Sequence, residues 1–174
     1  MVNYRRLKTG NPDDIFFFTI VTHDRSPRFA EPSCREMLLD ALKRVKKRFG
    51  FNLKAWVILP DHLHLMLKPG DADYSKVIFS LKKGLSLEFK KRGQLRQGDK
   101  LWQDRFWESM IKDDQHHEKC VDYIHFNPVK HGLVKAPIDW EHSSIHEYVS
   151  RRLIPVDWCA GYGIIIPGVE FETL

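Results

Sequence analysis

Two histidines stand one residue apart in an apolar stretch, Trp56-Val-Ile-Leu-Pro-Asp-His62-Leu-His64-Leu-Met-Leu67. On an extended strand, side chains at i and i+2 point the same way, so two imidazoles at this spacing can converge on one cation. Far downstream lies Tyr123-Ile-His-Phe-Asn127-Pro-Val. If that segment is helical, Tyr123 and Asn127 are neighbours on one face. A phenol can act as a nucleophile and an amide oxygen can act as a hard metal ligand. Phosphodiester cleavage develops charge on the non-bridging oxygens, which a divalent cation stabilises. A tyrosine attacking in line would store the bond energy as a covalent phosphotyrosine, ready for rejoining. These residue types therefore describe an enzyme that cuts a phosphodiester with a tyrosine.

Each position also admits a plainer role. Histidines on an exposed strand are common, and a tyrosine on an amphipathic helix most often packs. Asn127 before Pro128 can cap a short following turn, with its backbone leaving the helical region. Asp61 reads as a turn residue. His125 and His131 receive no catalytic role, although either could meet phosphate. A free tyrosine has a pKa of about 10, and no dedicated base is visible, which leaves a metal or a bound water to assist. Imidazoles favour zinc or another transition metal, magnesium favours oxygen, and manganese suits both donor types.

The elements that must position these groups can be read from hydrophobic period and punctuation. Residues 15–22, Ile-Phe-Phe-Phe-Thr-Ile-Val-Thr, read as a buried strand. A helix capped by Ser33 runs to about Phe49 and ends at Gly50. Residues 51–59 and 62–67 form two strands of a hairpin across Pro60-Asp61, and Pro69-Gly70-Asp71 stops the second. Residues 74–92 read as a basic helix with Val77, Leu81, Leu85 and Phe89 at a four-residue step. A polar, glycine-containing loop over 93–100 is expected to be mobile. A fourth strand falls near the end of Trp102 to Lys112, and Asp113 or Asp114 caps a third helix ending near Asn127-Pro128. The order β-α-β-β-α-β plus a helix is the split β-α-β, ferredoxin-like pattern, an α+β sandwich with an antiparallel sheet and two helices on one face. Leu63, Leu65 and Leu67 should pack under those helices, which turns His62, His64, Met66 and Lys68 to the opposite face, left for ligands or a further helix.

The bulk composition is that of an ordinary globule. The chain has 174 residues, 43% hydrophobic and 29% charged, enough for one domain with a real core. Its net charge of +5 and pI near 9.1 favour a polyanionic partner. Three scattered cysteines, Cys34, Cys120 and Cys159, with no C-x-x-C, argue against a disulfide framework or a thiolate zinc site and fit a reducing compartment. No stretch approaches the roughly 20 apolar residues of a membrane span, and the basic start lacks the apolar core of a signal peptide. A cytoplasmic location is expected.

The ordered series of motifs carries a resemblance. The segment Trp56 to His64 is similar to the histidine-hydrophobe-histidine motif of single-strand DNA transposases with one catalytic tyrosine. Leu101-Trp-Gln-Asp-Arg-Phe-Trp-Glu, followed by Tyr123-Ile-His-Phe-Asn-Pro-Val-Lys-His-Gly-Leu-Val134, resembles the branch called REP-associated tyrosine transposases. The match extends from Tyr4-Arg5-Arg6 to about Asp157-Trp158, so residues 1–158 are expected to be the IS200-like domain and 159–174 a C-terminal tail. The resemblance implies a ferredoxin-like fold, His62 and His64 as metal ligands, and Tyr123 as a nucleophile that yields a 5′-phosphotyrosine and a free 3′-hydroxyl. Related insertion-sequence enzymes use a glutamine four residues after the tyrosine as third ligand. This chain has the shorter amide of Asn127 there. The family works with Mg2+ or Mn2+ on hairpins of repetitive extragenic palindromes. Some relatives exchange the tyrosine helix between subunits. A monomer is favoured here, with a dimer open.

Contacts to DNA are assigned by charge. Lys82, Lys83, Lys90, Lys91 and Arg92 could meet phosphates, Arg5 and Arg6 a hairpin stem or minor groove, and Arg105 the substrate. Trp102, Phe106 and Trp107 are read as core in preference to base-stacking platforms. Two readings compete with strand transfer. One is a non-catalytic nucleic-acid-binding module of RNA-recognition-like fold, which would not need His62 and His64 together. The other is a zinc hydrolase, which would need a better third ligand.

Overall fold

The computed structural model describes residues 11–70 and 72–159. Four strands alternate with helices: β1 (Phe16–Val21), α1 (Pro32–Phe49), β2 (Asn52–Ile58), β3 (His62–Lys68), α2 (Tyr74–Lys91), β4 (Trp107–Met110), α3 (Asp114–Lys130) and a short α4 (Ile145–Ser150). The sheet order is β2-β3-β1-β4, with every neighbour antiparallel. This is the expected ferredoxin-like α+β arrangement.

Side-chain alternation along the two central strands sorts the core into two layers. On β1, Phe16, Phe18 and Ile20 face one side and join Leu63, Leu65 and Leu67 of β3 beneath α1 and α2. Apolar positions of both helices, including Leu38, Leu42, Leu81 and Leu85, complete that layer. On the other side Phe17 and Met66 pack with Ala55 and Val57 of β2 and with Cys120, Val121, Tyr123 and Ile124 of α3. Of the two occupants expected for this face, ligands or a further helix, it is a helix, α3, that roofs it. The cause is the apolar stripe on that helix, which has to be buried against something.

Helix ends follow local chemistry. α1 begins at Pro32, two residues before the start expected from a Ser33 cap, because proline fits the first helical turn; Glu31 is the N-cap residue and makes no side-chain cap. Gly50 ends α1 in the left-handed region at φ 71°, with its N–H bonded to Lys46 O. Asp73 caps α2 by accepting from Ser75 N at 2.8 Å. α3 departs from expectation. It passes through Pro128 and stops at Lys130, where His131 N–H donates to Asn127 O at 3.0 Å. Pro128 removes one intrahelical donor, yet the helix continues through it to Lys130.

The polar segment 93–100 is anchored by buried Leu95, so it is not a free loop. The three cysteines are unpaired. No helix among the described residues is long and apolar enough to cross a membrane. Arg5, Arg6 and the tail from 160 to 174 lie outside the described residues.

Candidate active site

The site is built on β3. Period-two alternation puts both imidazoles on the α3 side of the sheet, where His62 is 1% exposed and His64 is fully buried. Each ring is oriented by a hydrogen bond at Nδ1. His62 Nδ1 lies 2.6 Å from Asp61 Oδ1, and His64 Nδ1 lies 3.0 Å from Thr19 Oγ1 of the adjacent strand. With Nδ1–H donating in both cases, each Nε2 presents a lone pair. Neither Nε2 has a hydrogen-bond partner among the described residues, and neither does either polar atom of the Asn127 amide. A buried polar group left unsatisfied costs about 1–3 kcal/mol. The ring centroids of His62 and His64 are 4.9 Å apart.

Asp61 is more than a turn residue. One oxygen holds His62, and the other accepts from Arg25 at 3.3 Å. Burial opposes ionisation of this carboxyl, but the hydrogen bonds and charges of His62 and Arg25 outweigh it and hold the group below its ordinary range. The backbone of Asp61 is fixed as well, because its carbonyl accepts from Thr22 N and Thr22 Oγ1, both at 2.8 Å. Arg25 itself sits at φ 48°, a strained backbone for a side-chain-bearing residue.

α3 brings the second half of the site. Asp113 caps it by accepting from His116 N at 2.7 Å. The Tyr123 ring lies edge-on to His64, with centroids 5.2 Å apart, and packs on Phe17 at 5.9 Å. Two turns later the His131 ring approaches His62 to 5.1 Å. Asn127 lies one turn from each, so this face of α3 carries Tyr123, Asn127 and His131 over the histidine pair. The expected meeting of phenol, amide and imidazoles is present. His131, given no role from the sequence, stands at the mouth of the site. The spacing 123–127–131 is the signal that could have found it, once the helix is known to continue past Pro128.

His125 faces away from the site. It is buried, its Nε2 lies 2.8 Å from Ser144 Oγ, and its ring packs on Tyr148 at 4.7 Å. It cannot meet phosphate there. Lys130 is a further residue that sequence reasoning missed. Its Nζ donates to Tyr123 Oη at 3.5 Å and stands 4.9 Å from the centre of that ring.

The site is electropositive. Burial, and then the charges of His62, His131, Lys130 and Arg25, push the His64 pKa well below its ordinary value, which keeps the imidazole neutral and able to ligate. Two imidazole nitrogens and an amide oxygen, each without a partner among the described residues, fit a divalent cation with positions left for phosphate and water. Among the described residues no three His, Cys, Asp or Glu side chains cluster to hold a metal. A third protein donor would therefore be the amide, which disfavours the zinc hydrolase reading.

The remaining predicted residues are not gathered here. α2 lies on the opposite side of the sheet, so Lys82, Lys83, Lys90, Lys91 and Arg92 are remote from Tyr123. Lys82 is half-buried and donates to Gln103 O at 2.7 Å, a structural tie within the protein. Lys83 stands over the exposed Phe79 ring, and Arg92 pairs with Glu88 at 3.6 Å. Lys90, Lys91 and Arg105 are exposed. Trp102 belongs to the helical-side core, with its indole N–H bonded to Lys82 O, and Phe106 and Trp107 pack at the two core layers. With Phe17, Val57 and Met66 covered by α3, the sheet offers no open platform for stacking bases, contrary to an RNA-recognition-like module.

Comparison with known proteins agrees with this geometry. The family model described as Transposase IS200 like matches residues 15–127. A REP-associated tyrosine transposase of Escherichia coli K12 is 38% identical over 91% of this chain and 91% of its own length. A Haemophilus influenzae protein assigned to the same group is 36% identical over 97% of this chain and 99% of its own. A solved REP-associated tyrosine transposase bound to a REP hairpin superposes with a TM-score of 0.78 at 35% identity, covering 95% of this chain and 99% of that one.

Proposed function

Since this chain belongs to the REP-associated tyrosine transposases, a branch of the IS200-like transposases that nick and join DNA, we propose that it cleaves single-stranded DNA beside a palindromic hairpin through attack by Tyr123. His62, His64 and Asn127 are the residues that would hold the divalent cation. One observation carries this reading: the Nε2 atoms of two oriented, buried histidines lack partners among the described residues, and the His64 ring lies edge-on to the Tyr123 ring with centroids 5.2 Å apart.

A divalent cation bound there, Mg2+ or Mn2+, supplies Lewis-acid neutralisation of the scissile phosphate. The chain supplies the rest. Asp61 and Thr19 fix the two imidazoles, so the ligand geometry exists before substrate arrives. Tyr123 is held by Phe17 and His64 with little freedom, which limits the entropy lost on aligning it for attack. The Tyr123 oxygen bonds to phosphorus, the bond from phosphorus to the 3′ oxygen breaks, and a 5′-phosphotyrosine and a free 3′-hydroxyl result. Attack by a 3′-hydroxyl on that ester reverses the step and joins strands. The relative bound to a REP hairpin supports a hairpin as the partner recognised here. α3 closes on the sheet of its own chain, which supports a monomer as the working unit.

The test is direct. Labelled single-stranded hairpin DNA incubated with the protein and Mn2+ or Mg2+ should give a protein–DNA adduct that survives denaturant and is lost with chelator. Tyr123→Phe should abolish the adduct and keep hairpin binding within about twofold, since it removes only the nucleophilic oxygen. An adduct that persists in Tyr123→Phe overturns the assignment.

A further inference from the structure

We propose that Lys130 is a catalytic residue whose ammonium stabilises the charge on the Tyr123 oxygen in both cleavage and rejoining. The proposal rests on the reading of Tyr123 as nucleophile and adds a second group that touches the reacting atom. Lys130 Nζ donates a hydrogen bond to Tyr123 Oη at 3.5 Å, and the same ammonium lies 4.9 Å from the ring centroid. The two residues are seven apart on α3, two turns along one helix face.

A lysine in the last turn of a helix already gains from the helix dipole wherever its side chain points. Here the side chain folds back along α3 to the hydroxyl. Its stem is exposed while the tyrosine it reaches is 4% exposed, so the cation sits at the boundary between solvent and the buried ring. An ammonium on a flexible stem can follow an oxygen that moves during reaction. At the edge of a water-poor site its charge counts for more than it would in bulk water.

The chemistry balances without a proton leaving Lys130. In cleavage the phenol proton passes to water, the bond from the Tyr123 oxygen to phosphorus forms, the bond from phosphorus to the 3′ oxygen breaks, and that oxygen takes a proton from water. In rejoining the 3′-hydroxyl loses its proton to water and bonds to phosphorus, the phosphotyrosine ester breaks, and the phenol oxygen regains a proton from water. In both directions negative charge passes through the Tyr123 oxygen, and the ammonium is hydrogen-bonded to it.

Single-turnover adduct formation and rejoining, measured at saturating hairpin DNA and Mn2+, decide the matter. Lys130→Met and Lys130→Gln should each slow both steps by about tenfold or more. The hairpin concentration for half-saturation should stay within about twofold, and Lys130→Arg should recover most of the rate. Rates within twofold of the parent in the neutral variants would overturn the proposal. So would a loss that appears only as weaker hairpin binding, which would make Lys130 a phosphate contact. Tyr123→Phe run in parallel separates the two ideas. If it still forms an adduct, nucleophile and helper fall together. If it forms none and the neutral Lys130 variants behave as the parent, only Lys130 falls.

Discussion

Asp61 Oδ1 lies 2.6 Å from His62 Nδ1, and the same carboxylate accepts from Arg25 at 3.3 Å. A ligand histidine is thus held by an acidic residue, itself held by a cation and by two hydrogen bonds from Thr22 to its carbonyl. Such outer partners fix the tautomer and raise the basicity of the ligating nitrogen, and losing one costs about 10–100-fold in metal affinity. Asp61→Ala should therefore raise the Mn2+ concentration needed for half-maximal adduct formation by one to two orders of magnitude. Hairpin binding should change little. A metal titration of cleavage for parent and variant checks this.

The buried Nε2 atoms of His62 and His64, without partners among the described residues, make a second expectation. A ligand that binds only the folded state raises stability by RT ln(1 + [L]/Kd), about 2.7 kcal/mol at a hundredfold excess over Kd. Thermal unfolding followed by circular dichroism should show the midpoint climbing with Mn2+ in the parent. His64→Ala should lose most of that climb. A midpoint that rises equally in both would place the cation elsewhere.

His125 supplies the pH dependence. Burial, with a smaller push from His146, lowers its pKa from 6.5 to about 3. Above pH 6.5 neither folded nor unfolded chain protonates this ring, and stability is at its full value. As pH falls below 6.5 the unfolded chain binds a proton that the folded chain refuses, so stability drops until about pH 3. The slope approaches about 1.4 kcal/mol per pH unit for one proton. His125→Asn keeps an amide near Ser144 and removes the titration. Urea unfolding between pH 4 and 7 should give a flatter profile for the variant than for the parent.

What could be read in advance divides along physical lines. The strand alternation that separates His62 and His64 from Leu63 and Leu65 has period two, set by the extended backbone itself. The ferredoxin-like order followed from the same periodicities. The choice between ligands and a further helix on the histidine face did not, because α3 shows its apolar stripe without showing which surface it covers. The end of α3 was misjudged for a specific reason. The residue before a proline is biased out of the helical region, which placed the stop near Asn127-Pro128. Packing of Tyr123, Ile124 and Cys120 on the sheet overrides that bias. The added turn carries Lys130 to Tyr123 and His131 to His62, and both were missed with it. The tie of Lys82 lies beyond sequence reading for another reason. Its partner, Gln103 O, comes from a distant segment, so the sequence shows the charge and not the tie.

That difference among the α2 lysines gives the last expectation. Lys82 Nζ donates to Gln103 O at 2.7 Å, while Lys90 and Lys91 are exposed near the C-terminal end of the helix. Removing a charged donor from a half-buried carbonyl typically costs about 1–3 kcal/mol, so Lys82→Met should lower the unfolding free energy by roughly that amount. It should leave the salt dependence of hairpin binding nearly unchanged, because an ammonium bonded to protein releases few counterions from DNA. The double substitution Lys90→Gln with Lys91→Gln should do the reverse. Stability should hold within about 0.5 kcal/mol, as is usual for surface changes. If both lysines meet phosphate, the slope of log affinity against log salt should fall by roughly 1.4, at about 0.7 per single-strand contact. Binding isotherms at three salt concentrations for the parent and both variants measure the slopes. An unchanged slope in the double variant removes this end of α2 from the DNA path.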